Sequence, residues 1–263
     1  MPITCAIPIA NLTRDEFIKR DELIMKCAYA TQNNLGRLCD EHVYENELAS
    51  RLRTAGMKNV MTQVPLRVTH GSFTKEYRLD LVASDAVYEL KTVEHLIPAH
   101  DAQVFNYAMC LGIRCIKLLN FSDHKVNGKL RMAPVTTVQR HACKITTNGW
   151  QPLSAKCRLL RDHLTCLVDD LGGFLEASLY REALSCLLTA PETRLTVTSN
   201  DIELGTHTLP MLAGHTAFHV SSYTTYIEQQ RPHLQLLLAT LPLKCLHWIN
   251  FNHQDITLTT LLQ

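Results

Sequence analysis

Residues 77–91 read YRLDLVASDAVYELK. An apolar, β-rich run carries one carboxylate, Asp80. Ser84-Asp85-Ala86 interrupts it, and a second β-rich run carries Glu89 and Lys91 two positions apart. Side chains in a strand alternate between faces, so Glu89 and Lys91 point one way and Leu90 the other. If the two runs pair as a hairpin, Asp80 sits beside Glu89. Adjacent carboxylates repel, and a divalent cation relieves that repulsion. A lysine beside such a cation can hold and help deprotonate a water. This is the equipment of metal-assisted phosphodiester hydrolysis.

The spacing D-x8-E-x-K also arises by chance, and the ordinary alternative is a solvated strand face with one salt bridge. The setting speaks against it. Asp80 lies between Leu79 and Leu81, and Glu89-Leu90-Lys91 is flanked by Val87 and Val93. Charged groups centred in apolar strands are usually paired or metal-bound, because burying them alone is costly.

The elements around this hairpin define a unit. An apolar stripe of helical period, with Phe17, Leu23, Ile24, Cys27 and Ala28, predicts a helix over 14–34 that Leu35-Gly36 stops. A second helix is expected over 40–55, with Val43, Leu48 and Leu52 inward and Gly56 at its end. Strands follow near 60–69, 76–83 and 86–93, joined at His70-Gly71-Ser72 and Ser84-Asp85. Pro98 precedes a helix over 99–111, and residues 114–121 read as a buried strand. The order α-α-β-β-β-α-β is that of an α/β fold, a mixed sheet with helices packed on it. The polar, turn-rich text of 122–157 reads as an excursion and a linker.

Composition leaves several classes out. Hydrophobic content of 46% and charged content of 19% fit a globular chain. No apolar run reaches the roughly 20 residues that span a bilayer, and the start of the chain lacks the basic lead of a signal peptide, so a cytoplasmic protein is expected. The ten cysteines form no CxxC pair and read as reduced, mostly buried small hydrophobes. Net charge is +1, split as +3 over residues 1–140 and −2 over 141–263. Phosphate binding would therefore need a local patch in the first half, for which Arg37, Arg51, Arg53, Lys58, Arg67, Lys75 and Arg78 are candidates. Most of these are expected to be ordinary solvated surface.

The sequence then begins again. LGRLCDEHVY at 35–44 aligns without a gap to LGGFLEASLY at 171–180, and CIKLLNFS at 115–122 matches CLHWINFN at 245–252. Two landmarks in the same order point to a tandem duplication. Carried through the second register, Asp80 falls opposite Pro210, Glu89 opposite His219 and Lys91 opposite Ser221. The stretch 204–222 holds no acid and no lysine. The second copy cannot build the same site. His215 and His219 could bind a metal, but no nearby acid or cysteine completes a ligand set.

LGRLCDEHVYENEL, TAGMKNVMTQVPLRV, YRLDL, YELKTVE, HDAQVFNYA and IKLLNFS, in order over about residues 20–133, resemble the GxxExxY family of the PD-(D/E)XK nuclease-like superfamily. One departure is that Leu38 stands where the naming motif opens with Gly, while Glu41 and Tyr44 keep its Glu and Tyr. The resemblance implies a restriction-endonuclease-like mixed sheet flanked by helices, here duplicated in tandem as a pseudo-symmetric pair. It implies that Asp80 and Glu89 are metal ligands with the Leu90 carbonyl, that Lys91 positions the attacking water, and that Glu41 adds a further acid. Gln103 and Tyr107, four apart on one helix, resemble the QxxxY feature of related nucleases. Plainer roles are open: Glu41 as a helix-surface acid or a helix-start charge, and Tyr107 as core. Glu45, Glu47 and Glu94 read as solvated. Asn120 reads as structural, since Asn250 occupies the same place in the copy without acids.

These readings give an N-terminal nuclease-like domain at 1–135, a linker at 136–157 and a degenerate repeat at 158–263 that forms an internal pseudo-dimer with it. The expected activity is Mg²⁺- or Mn²⁺-dependent hydrolysis of DNA or RNA. The rival expectation is a non-catalytic interaction or scaffold protein that keeps the fold.

Overall fold

The computed structural model describes residues 2–263. The chain divides into two compact units. The first comprises the residues up to Val68 with Lys75–Thr137, and the second comprises Thr69–Thr74 with Val138–Gln263.

The first unit opens with a short strand, β1 (Ile3–Cys5), followed by α1 (Arg14–Leu35) and α2 (Glu41–Thr54). Thr13 starts α1 with a capping box: its hydroxyl accepts from the Glu16 amide, and the Glu16 carboxylate accepts from the Thr13 amide at 2.8 Å. Gly36 ends the helix at φ 74°, a backbone state that favours glycine. Strands β2 (Val60–His70), β3 (Phe73–Ala83) and β4 (Ala86–Lys91) lead into α3 (Pro98–Leu111), then β5 (Cys115–Asn120) and β6 (Asn127–Met132). The sheet order is β1-β2-β3-β4-β5-β6. β4 and β5 are parallel and the β3–β4 and β5–β6 pairs antiparallel, so α3 makes the crossover that a parallel pair requires. Phe17, Ile24, Tyr44, Leu48, Leu52, Leu81, Tyr88, Leu90 and Phe121 are buried in one core between α1, α2 and the sheet.

The second unit carries α4 (Thr137–His141), which begins at the boundary, then β7 (Lys144–Thr146), α5 (Ala155–Leu171), α6 (Ala177–Leu187), β8 (Glu192–Ser199), β9 (Ile202–Ala213), β10 (Thr216–Ser221), α7 (Ile227–Thr240), β11 (Cys245–Asn252) and β12 (Asp255–Leu262). Its sheet runs β7-β12-β11-β10-β9-β8. From α5 onward the order α-α-β-β-β-α-β-β repeats that of α1 to β6. The edge strands differ: β1 flanks β2, whereas β7 flanks β12.

The expected helices and the main strands are present. The stretch 122–157 holds more than the expected excursion and linker, because β6, α4 and β7 lie in it. β6 (NGKLRM) is only half-buried and β7 is three residues long, so neither carries the apolar alternation that reveals a strand. All ten cysteines are free, but only Cys27, Cys110, Cys115, Cys157 and Cys245 are buried, and Cys166 and Cys186 are exposed. That corrects the expectation that most are buried. No helix among the described residues is long and apolar enough to cross a membrane.

Candidate functional site

Ser84 and Asp85 both adopt left-handed backbone, at φ 48° and 69°. Two consecutive positive φ values make the type I′ turn that suits a two-residue hairpin. The turn sets the register Ala83↔Ala86, Val82↔Val87, Leu81↔Tyr88, and its next step brings Asp80 opposite Glu89. Tyr88 and Leu90 face the core under α1 and α2, so Glu89 and Lys91 lie on the other face.

Asp80 and Glu89 are both buried, at 8% and 2% exposure. Asp80 Oδ2 accepts from the Leu90 amide at 2.8 Å. Lys91 Nζ lies 2.6 Å from Glu89 Oε1 and 3.9 Å from a Glu41 carboxylate oxygen. Glu89 Oε2 is buried with no hydrogen-bond partner. Burial and the neighbouring Asp80 carboxylate push Glu89 up to about 8, against the pull of Lys91. Burial also raises Asp80, opposed by the Leu90 amide and Lys91. Lys91 stays cationic, because Glu89, Glu41 and Asp80 outweigh its own burial. The site thus disfavours negative charge on Glu89 and leaves one of its buried oxygens without a donor.

Glu41 is the first residue of α2; its carboxylate is half-buried and takes a backbone hydrogen bond from Thr92. One turn on, Glu45 is 4% exposed, which corrects its expected solvation. Its Oε2 accepts from Gln63 Nε2 at 2.7 Å, and the same nitrogen lies 3.4 Å from Asp80 Oδ1. Gln63 sits in β2 at φ 50°, rare for a residue with a side chain. Neither Glu45 nor Gln63 was among the expected site residues. The available signal was the i, i+4 spacing of Glu41 and Glu45, which puts both acids on one helix face. Glu94, by contrast, is exposed, and Glu47 pairs with Arg51.

Gln103 and Tyr107 meet each other: Gln103 Nε2 donates to the Tyr107 hydroxyl at 3.0 Å, and Tyr107 packs edge-on against Tyr77. At Leu90 it is the amide whose role is visible, through Asp80; the carbonyl remains an expectation. Among the candidate phosphate contacts, Arg51, Arg67 and Arg78 are paired with glutamates and Arg53 donates to the Val60 carbonyl.

Among the described residues no group of three or more His, Cys, Asp or Glu is assembled to hold a metal ion. The donors still suit Mg²⁺, which keeps several waters and takes one or two carboxylates rather than an all-protein cage. Asp80 and Glu89, with one Glu89 oxygen buried and unpartnered, supply that number.

Residues 19–132 match the family model described as the PD-(D/E)XK nuclease superfamily. No curated protein and no solved structure matches the chain. The match to the PD-(D/E)XK nuclease superfamily runs from within α1 to the end of β6, so it contains the acids and lysine described above and stops before the second unit.

In the second unit Ser221 donates to Asn250 Oδ1 and accepts from Trp248 Nε1, each at 2.8 Å. His219 is pushed down to about 4 by burial, by His207 and by Arg181, and is neutral at ordinary pH. Asn250 clamps the backbone of Tyr223, accepting from its amide and donating to its carbonyl. Asn120 clamps Val93 in the same way.

Proposed function

We propose that the first unit is a divalent-cation-dependent nuclease that hydrolyses phosphodiester bonds of DNA or RNA. One observation carries the reading: within the matched region, a buried Glu89 is in contact with Lys91 while Asp80, on the paired strand, is fixed by the Leu90 amide. Asp80 and Glu89 would hold Mg²⁺ or Mn²⁺, with the Leu90 carbonyl and Glu41 as further oxygen donors. When bound, the cation would polarise the phosphate and lower the pKa of a water.

The protein's own groups do the rest. The Leu90 amide anchors one oxygen of the Asp80 carboxylate, which reduces the ordering that cation binding would require. With a cation bound, Glu89 would be held in its ionised form, because a nearby positive charge favours it. Lys91 would orient the attacking water and offset negative charge as it develops. Gln103 and Tyr107 are read as a polar pair on α3 that borders the substrate.

We read the second unit as a degenerate copy of the first, a GxxExxY-like domain that has lost its acids. The repeated element order supports this, and so do two repeated contacts. Tyr44 donates to the Gly36 carbonyl and stacks on Phe121; Tyr180 donates to the Gly172 carbonyl and stacks on Phe251. The positions matching Glu41, Asp80, Glu89 and Lys91 are Ala177, Pro210, His219 and Ser221. The survival of this architecture without acids also favours a second reading, an interaction scaffold. A panel of single- and double-stranded DNA and RNA with Mg²⁺, Mn²⁺ or chelator separates the two. The nuclease reading requires cleavage that chelator and Lys91→Ala both abolish.

A further inference from the structure

We infer that Gln63, held by Glu45, is a positioning residue that sets the orientation of Asp80 for cation binding, an inference that rests on the proposed nuclease site. The amide nitrogen of Gln63 has two hydrogens and lies between two buried carboxylates, 2.7 Å from Glu45 Oε2 and 3.4 Å from Asp80 Oδ1. Asp80 Oδ2 is already bound to the Leu90 amide, so a contact at Oδ1 fixes the plane of the carboxylate. An amide can present either its nitrogen or its oxygen. Glu45 accepts only from the nitrogen end and so determines which end faces Asp80. The arrangement acid–amide–acid orients the ligand residue from behind, the way outer partners orient metal ligands.

The backbone supports a site role. Gln63 is in the left-handed region at φ 50° inside a strand, a conformation better suited to glycine. Gln63 as a whole is an exposed residue, so core packing does not explain the choice. Strain of this kind persists where the surrounding structure needs the side chain in place.

This arrangement separates binding from stability. Gln63→Gly relieves the backbone and removes the amide. The full-length protein is titrated with Mn²⁺ by calorimetry, and its Tm is measured without metal. Wild type is expected to bind, and Asp80→Ala to lose binding. Gln63→Gly is expected to bind about 10–100-fold more weakly at a Tm close to that of wild type, because relief of the left-handed backbone offsets the donor that Glu45 loses. Glu45→Gln, which keeps an acceptor, should bind close to wild type, and Glu45→Val should weaken like Gln63→Gly. Wild-type binding that Asp80→Ala abolishes but Gln63→Gly leaves intact would overturn the inference and spare the site. A fall in Tm for Gln63→Gly that parallels the loss of binding would make Gln63 a structural residue and also overturn it. No Mn²⁺ binding by wild type would remove the site itself, and this inference with it.

Discussion

Lys91 Nζ reaches Glu89 Oε1 at 2.6 Å, two residues back along β4, while the other oxygen of Glu89 stays buried and unpartnered. Burial and the Asp80 carboxylate raise Glu89, and the pull of Lys91 does not outweigh them. On the proposed reading, a bound cation would take over from Lys91 beside Glu89.

Glu89 in the folded protein is raised from its ordinary value of 4.5 to about 8. A folded carboxyl with a raised pKa binds protons more tightly than the unfolded chain does. Its contribution is fully present below the unfolded value and is lost as pH climbs from about 4.5 through about 8. Thermal unfolding between pH 5 and 9 should show the first unit weakening upward. Glu89→Gln, which mimics the protonated form, should flatten that slope. An unchanged slope in Glu89→Gln would place the proton elsewhere.

Adding Mg²⁺ should act against the same slope. A cation favours ionised Glu89, so the rise in Tm with metal should be larger at pH 8 than at pH 5, and binding should release protons. Calorimetry in buffers of different ionisation enthalpy measures that release directly. Equal metal effects at both pH values contradict the assignment of Glu89 as a ligand.

The second unit has the opposite pH behaviour. His247 and His219 are each pushed down from 6.5 to about 4 by burial, with His207 and Arg181 adding to the shift at His219. Their folded pKa values are depressed, so they contribute stability above the unfolded value that is lost as pH falls from about 6.5 through about 4. Amide exchange at pH 7 and pH 5 should show protection falling in β10 and β11. Protection that is independent of pH in those strands would mean that the two rings are solvated.

Asn120 and Asn250 should behave alike although only the first unit carries the Asp80 and Glu89 carboxylates. Each is buried and holds an amide and a carbonyl of the loop two residues beyond the neighbouring strand. Removing a buried partner costs about 1–3 kcal/mol. Asn120→Ala and Asn250→Ala should therefore each lower Tm by several degrees. Catalysis lost in Asn120→Ala at an unchanged Tm would make Asn120 a site residue instead.

The juxtaposition of Asp80, Glu89 and Lys91 was legible in the sequence because all three lie on one hairpin. Leu79, Leu81, Val87 and Leu90 announce two strands, and Ser84-Asp85 fixes the turn, so the alternation rule alone places Glu89 and Lys91 together. Glu45 and Gln63 were not legible, because their contact joins a helix to a strand 18 residues away and depends on an unusual φ at Gln63. β6 and β7 were missed for a different reason. Strands at a sheet edge bury little, so their sequences stay polar. The repeated Gly, Tyr, Asn and Phe could be read as marks of a repeat, but their roles as a carbonyl latch, an aromatic stack and a backbone clamp needed coordinates.

The most direct test of the account is cleavage of a nucleic acid panel by the full-length protein in Mg²⁺, compared with chelator and with Lys91→Ala. The account predicts cleavage by wild type that chelator removes and that Lys91→Ala reduces by about 10²-fold or more, with the variant still folded. Cleavage that persists in chelator, or at the wild-type rate in Lys91→Ala, would contradict it.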